Sequence, residues 1–277
     1  MSVVSGQWAV DSGPLRLLTI GGSDSGGAAG IQADLKTFTA LRVYGMSALT
    51  AATAQNSERV AAVHFLPPDF VAAQIEAVLS DYGANGVKTG FIGQVALIEA
   101  IAVVLAGYRP IPLVVDPVLV NHRGQAMFVA EVAAAYGRCL FPLAALITPN
   151  RREAEELSGM EVAGVNAGIT AAHRLYAAYA RPVLLKAIPD GHELVDILCD
   201  GQIAQFRAPR QQTNNTHGSG DTYSAAIAVY LAQGQPLRAA IAAAHTFTQK
   251  AIQAAASWRI GHGHGPLAHW GSDEDAV

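Results

Sequence analysis

From residue 15 onward, short apolar runs alternate with longer stretches whose apolar residues recur three and four apart, and this alternation limits the fold more than any other feature. Residues 15–20 read as a strand, after which Ile31, Leu35, Phe38 and Leu41 fall on one helix face. Further strands are expected at 46–54, 86–89, 112–116, 145–148 and 183–186. Helices are expected near 68–82, 94–106 and 131–139, from Arg151, and over 167–179. Asp200-Gly201, between apolar runs at 194–199 and 202–207, predicts a type I′ hairpin. Two Ala-rich helices, 219–233 and 237–256, close the chain. Strands that are apolar on both faces, separated by helices, imply a mostly parallel central sheet covered on both sides, an α/β class in three layers. No linker, repeat or low-complexity block divides the sequence, so a single domain over 15–270 is expected, with loose tails at 1–14 and 271–277.

Composition narrows the partners. Lys+Arg 18 against Asp+Glu 22 leaves a net charge of −4, which draws the chain toward neither nucleic acid nor an anionic membrane. Cys139 and Cys199 stand far apart with no C-x-x-C spacing, which excludes a thiolate zinc site and suits a reducing compartment. No cationic start with an apolar run opens the chain, and no stretch stays apolar for the roughly 18 residues that a membrane span needs. The expectation is a soluble cytoplasmic protein.

In sheets of this kind the site lies outside the carboxyl ends of the strands, which directs attention to a few segments. The first strand ends in Gly21-Gly22-Ser23-Asp24-Ser25-Gly26-Gly27-Ala28-Ala29-Gly30, a turn that could cradle an anion on its N–H groups or be a plain tight turn. It matches neither the dinucleotide spacing nor the P-loop. Asp116 and Thr148-Pro149-Asn150 end two later strands and suit a hard cation such as Mg²⁺. The spacing of Asn150 and Glu153 equally suits a helix cap. Thr216-His217-Gly218-Ser219-Gly220-Asp221 opens a helix apolar on nearly every side. Its bare N-terminal amides would stabilise an anion, and Asp221 could accept a proton from a substrate hydroxyl, the combination phosphoryl transfer to an alcohol requires. A carboxylate that merely caps the helix is the alternative. Lys88 and Lys186 lie in or at the end of apolar strands and reach either toward phosphate or along the sheet into water.

Several motifs, in order along nearly the whole chain, resemble the hydroxymethylpyrimidine/phosphomethylpyrimidine kinases of thiamine synthesis. They are Thr19-Ile20-Gly21-Gly22-Ser23-Asp24, Gly30-Ile31-Gln32-Ala33-Asp34-Leu35-Lys36-Thr37, Tyr44-Gly45-Met46-Ser47 and Thr53-Ala54-Gln55-Asn56. With them go Asp116-Pro117-Val118, Ile147-Thr148-Pro149-Asn150-x-x-Glu153, Thr216-His217-Gly218-Ser219-Gly220 and Gly263-His264-Gly265-Pro266. The resemblance implies a ribokinase-like fold without a separate lid domain, a homodimer, and ATP with Mg²⁺. It implies that Gly22, Asp34, Gln55, Phe91 and Val118 meet the aminopyrimidine, and that Lys186, Thr216 and Asn150 meet the nucleotide. Asn150, Glu153 and Asp116 would arrange Mg²⁺, while Gly218, Ser219, Gly220 and Asp221 would form the anion hole and catalytic position.

The chain departs from the family pattern at four places. Asp221 stands where cysteine is usual, Ala187-Ile188-Pro189 where Gly-Gly-His is common, Phe91 where methionine is usual, and Ala28 where the first loop has glycine. Two other readings therefore stand beside the pyrimidine kinase: a pyridoxal/pyridoxamine kinase, favoured by Asp221, and a non-catalytic pyrimidine-binding sensor.

Overall fold

A computed structural model describes residues 13–119 and 130–270; the tails expected at 1–14 and 271–277 lie outside these except for Gly13 and Pro14. The chain begins with β1 (Arg16–Ser23), α1 (Gly30–Ala40), β2 (Tyr44–Gln55), β3 (Val60–Phe65) and α2 (Pro68–Asp81). Next come β4 (Gly86–Thr89), α3 (Val95–Ala106), β5 (Leu113–Val115), α4 (Ala130–Ala135), β6 (Leu146–Ile147), α5 (Arg151–Ser158) and α6 (Val165–Tyr179). The last elements are β7 (Val183–Asp190), β8 (Glu193–Cys199), β9 (Ile203–Pro209), α7 (Ser219–Ala232) and α8 (Leu237–Ala254).

All the strands join one sheet in the order β3-β2-β1-β4-β5-β6-β7-β8-β9. The strands from β2 to β7 in that order run parallel, and β3, β8 and β9 extend the sheet antiparallel at its two edges rather than forming a separate lid. The period of two in the strands sorts their side chains into two cores. Leu17, Val114, Leu184 and Leu198 pack with Phe38 of α1, Ile227 and Val229 of α7 and Ile241 of α8. Their neighbours Leu18, Val115, Leu185 and Ile197 pack with Ile75 of α2, Ile98 of α3 and Leu175 of α6 on the opposite face. Burial on both sides is why these strands read as continuous apolar runs. Strand order reverses at β1, which has β2 on one side and β4 on the other, and this switch point leaves a crevice above the carboxyl ends of β1 and β4.

Four local features differ from the sequence reading. The strand β3 went unforeseen because Val60 to His64 are all exposed, so no buried face imprints an alternating pattern; pairing with β2 alone makes it a strand. The β8–β9 turn is a hairpin, but Cys199 pairs with Ile203, which leaves three residues, 200–202, in the loop. Only Gly201 among them has positive φ, so it is not the type I′ turn, which needs two such residues. Asp200 is held instead by Arg238 at 2.7 and 2.9 Å. The strand expected to stop at residue 186 continues to Asp190 through a bulge between Leu185 and Ile188. The helix expected over 131–139 is α only to Ala135, then widens into a π-turn, Tyr136–Leu140, around the buried Tyr136.

Candidate active site

The glycine-rich turn after β1 does cradle an anion, but that anion is the protein's own. Asp24 accepts the N–H of Gly26 at 2.8 Å and those of Ala28 and Ala29 at 2.9 Å each. The N–H of Gly30 goes to Asp221 Oδ2 at 3.2 Å. These amides are spent inside the protein, so the turn is a scaffold rather than a phosphate cradle. His217 Nε2 stands 3.6 Å from Asp24 Oδ2 and 3.1 Å from Gln55 Nε2, linking the turn to the end of β2 and the segment before α7.

The approach to α7 is pressed onto that scaffold. Gly218 has φ +81°, and a Cβ there would collide with the Ala28 carbonyl, so only glycine serves. Ser219 N–H bonds back to Thr216 O at 3.1 Å and Thr222 N–H to Gly218 O at 2.9 Å. No cap side chain takes the amides of Gly220 and Asp221 between them, so they face the crevice with the helix dipole behind them. Lys186 lies beside this start: a Cβ on Gly220 would be 3.4 Å from its Nζ.

Asp221, in the first turn of α7, keeps 17% of its side chain exposed. Its Oδ1 accepts from Lys88 Nζ at 2.9 Å. Lys88, wholly buried on β4, also donates to both oxygens of Asp34 at 2.9 Å. Thr19 Oγ1 completes the Asp34 shell at 2.5 Å. Burial pushes Asp221 up, but the Lys88 charge and hydrogen bond outweigh it and hold the carboxyl below its usual range. Burial, with the Asp221 charge added, pushes Asp34 up to about 7 against the pull of Lys88. Lys88 therefore neither lies along the sheet into water nor stands alone.

A second charged cluster lies after β5 and β6 and beside Lys186 within β7. Lys186 Nζ donates to Asp116 at 2.8 and 3.0 Å, and Ser224 Oγ from α7 donates to Asp116 Oδ2 at 3.0 Å. Lys186 is 6% exposed, so its head is not in bulk water either. Asn150 caps α5: its Oδ1 takes the Glu153 N–H at 3.0 Å, and Glu153 Oε2 takes the Asn150 N–H at 2.9 Å. The other Glu153 oxygen takes the Leu119 N–H at 3.2 Å, beside the half-buried Val118. Burial first, then the Asp116 charge, push Glu153 up to about 8. Among the described residues no three His, Cys, Asp or Glu side chains converge on a direct metal cage. Two mutually repelling carboxyls, Asp116 after β5 and Glu153 in the first turn of α5, nevertheless fit a cation that keeps most of its waters, as Mg²⁺ does.

The family model described as phosphomethylpyrimidine kinase matches residues 24–268. The chain belongs to the phosphomethylpyrimidine kinase family. It is 48% identical over 264 residues to a thiamine biosynthesis bifunctional protein of Geobacter sulfurreducens, covering 94% of this chain and 53% of that protein. It is 44% identical to a hydroxymethylpyrimidine/phosphomethylpyrimidine kinase of Rhizobium meliloti, covering 91% of this chain and 96% of that one. An ADP complex of Bacillus subtilis pyridoxal kinase superposes with a TM-score of 0.85 at 37% identity, covering 93% of this chain and 98% of the other.

Of the residues that the family resemblance assigns to the ring, Gly22, Asp34, Gln55 and Phe91 gather beside β1 and β2, whereas Val118 lies by Glu153 in the second cluster. The Phe91 ring lies on Gly22, where a Cβ would come within 2.7 Å of it, and stacks on Phe65 with centroids 5.9 Å apart. Gln55 sits across from them with His217. Asp34 forms the floor and is 1% exposed. Sequence reasoning left out Asp24, His217 and Ser224, and offered Lys88 only phosphate or water, where the structure gives it Asp34 and Asp221. A lysine inside the four-residue apolar strand β4 was the available signal, because a buried ammonium demands carboxylate partners.

Proposed function

We propose that the chain is an ATP- and Mg²⁺-dependent kinase that phosphorylates the hydroxymethyl group of 4-amino-5-hydroxymethyl-2-methylpyrimidine, and then the resulting monophosphate, in thiamine biosynthesis. The observation that carries the reading is the juxtaposition at the start of α7: a partly open, ionised Asp221 beside uncapped amides, with the Lys186 ammonium next to Gly220. Asp221 takes the proton of the substrate hydroxyl. The Gly218, Ser219 and Gly220 segment and Lys186 stabilise charge on the phosphoryl group in transit, which is most of what such a transfer needs. Asp116 and Glu153, with Asn150, hold Mg²⁺ through its waters; the ion, when bound, neutralises phosphate charge. Thr216 and Lys186 meet the nucleotide. Gly22, Phe91, Gln55 and Val118 enclose the ring, with Asp34 as the floor beneath it.

Family membership and the names of the relatives support the pyrimidine; likeness to a pyridoxal kinase, together with Asp221, supports the runner-up. Turnover of the pyrimidine alcohol, its monophosphate and pyridoxal, measured side by side, decides between them. ATP consumption that rises only with the two pyrimidines is expected, and a clear preference for pyridoxal overturns the assignment. Pyrimidine binding without ATP consumption leaves a sensor. We also place the protein in the cytoplasm as a homodimer, readings supported by its free cysteines and by the exposed apolar edge strand β3. Among the described residues no helix is long and apolar enough to cross a membrane.

A further inference from the structure

The crevice contains one ammonium that the proposed chemistry does not use. Lys88 is wholly buried, donates to both oxygens of Asp34 at 2.9 Å, and reaches Asp221 Oδ1 at the same distance. Two carboxylates around one ammonium leave the cluster a net negative charge unless one of them holds a proton. Exposure distinguishes them: Asp34 is sealed, whereas Asp221 opens to the crevice with 17% of its side chain. Lys88 thus reaches Asp221 from the protein interior.

We propose that Lys88 is a positioning residue for Asp221: its ammonium, anchored by Asp34 and Thr19, keeps the Asp221 carboxylate ionised and turns one oxygen inward, leaving the carboxylate edge at the crevice to receive the substrate proton. This rests on the reading of Asp221 as the base. The inward oxygen is fixed by Lys88, and Gly30 N–H steadies the other at 3.2 Å. The opposing shifts of the two carboxyls agree with this division, since Asp34 is pushed up and Asp221 held down. Other charged or titratable groups also face Asp221. They are Lys186 on β7, Asp116 just after β5 and beyond Lys88, and His269 in the C-terminal segment, which bonds Thr222 Oγ1 through Nε2 at 2.9 Å. None of these touches the Asp221 carboxylate, so Lys88 dominates its ionisation.

The pH dependence of kcat tests this on the full-length enzyme with saturating ATP, Mg²⁺ and pyrimidine alcohol. Lys88→Met should move the acid limb of kcat up by at least one pH unit, because Asp221 loses its counter-charge and keeps its burial. Lys88→Arg, which keeps the charge, should leave the limb near the wild-type position. Asp34→Asn/Lys88→Met removes a buried pair together and avoids a stranded charge. It should fold even where the single variant does not, with its limb, like that of Lys88→Met, above the wild-type position. An unmoved limb in both Met-containing proteins, with only a lower melting temperature, makes Lys88 a structural ion-pair residue and overturns the inference. Asp221→Asn is the separate control: turnover within tenfold of wild type removes Asp221 as the base, and the inference falls with it.

Discussion

Asp221, partly open, and Glu153, buried, both lie in the first turn of a helix, yet their surroundings push them in opposite directions. Asp221 has a cation at 2.9 Å and is held down, whereas Glu153 has the Asp116 charge nearby and is pushed up. The first suits proton acceptance and the second suits a site that awaits a cation. Asp221→Asn, nearly isosteric, should lower turnover by roughly 10²–10⁴; a loss below tenfold in a steady-state assay leaves it a capping residue. Glu153→Gln should raise the Mg²⁺ concentration needed for half-maximal rate. An unchanged Mg²⁺ dependence with a lower melting temperature would restrict Glu153 to its cap on α5.

At the scale of elements, the bulge in β7 stands out. Ala187 follows Lys186, has φ +59°, and donates its N–H to Asp196 Oδ1 at 2.7 Å. The left-handed region costs a residue with a Cβ about 1 kcal/mol or more relative to glycine. Ala187→Gly should therefore stabilise the protein by up to about 1 kcal/mol, offset in part by the greater freedom of glycine when unfolded. Thermal denaturation checks the sign, and a fall in melting temperature would show that the bulge is not strained. The parallel strands and flanking helices were legible because each buries a face and leaves its period in the sequence, as Leu17 and Leu18 do on opposite sides of β1. The strand β3 buries no face and left none. Within the site, Asn150 and Glu153 were legible as a local spacing. The Asp34–Lys88–Asp221 cluster was not, since its members are 54 and 133 residues apart and only the fold brings them together.

For the whole molecule, the buried charges set a pH dependence. Asp34 titrates near its usual 3.8 when unfolded and at about 7 when folded. Between those values the folded state binds the extra proton, so the stability that Asp34 contributes falls as pH rises from about 4 to about 7, and Glu153, pushed up to about 8, extends the fall a little further. Asp34→Asn should flatten this fall in melting temperature across the same range, whereas an unchanged slope would assign it to other groups. One further consequence belongs to α7, which is buried from Thr222 to Val229 and packs in the heart of one layer. A helix walled in along two turns has no slack to tilt, so the chemistry at its tip is mounted on bedrock. Amides deep in α7 should exchange with deuterium among the slowest in the protein, and heating should extinguish catalysis only as the entire architecture melts.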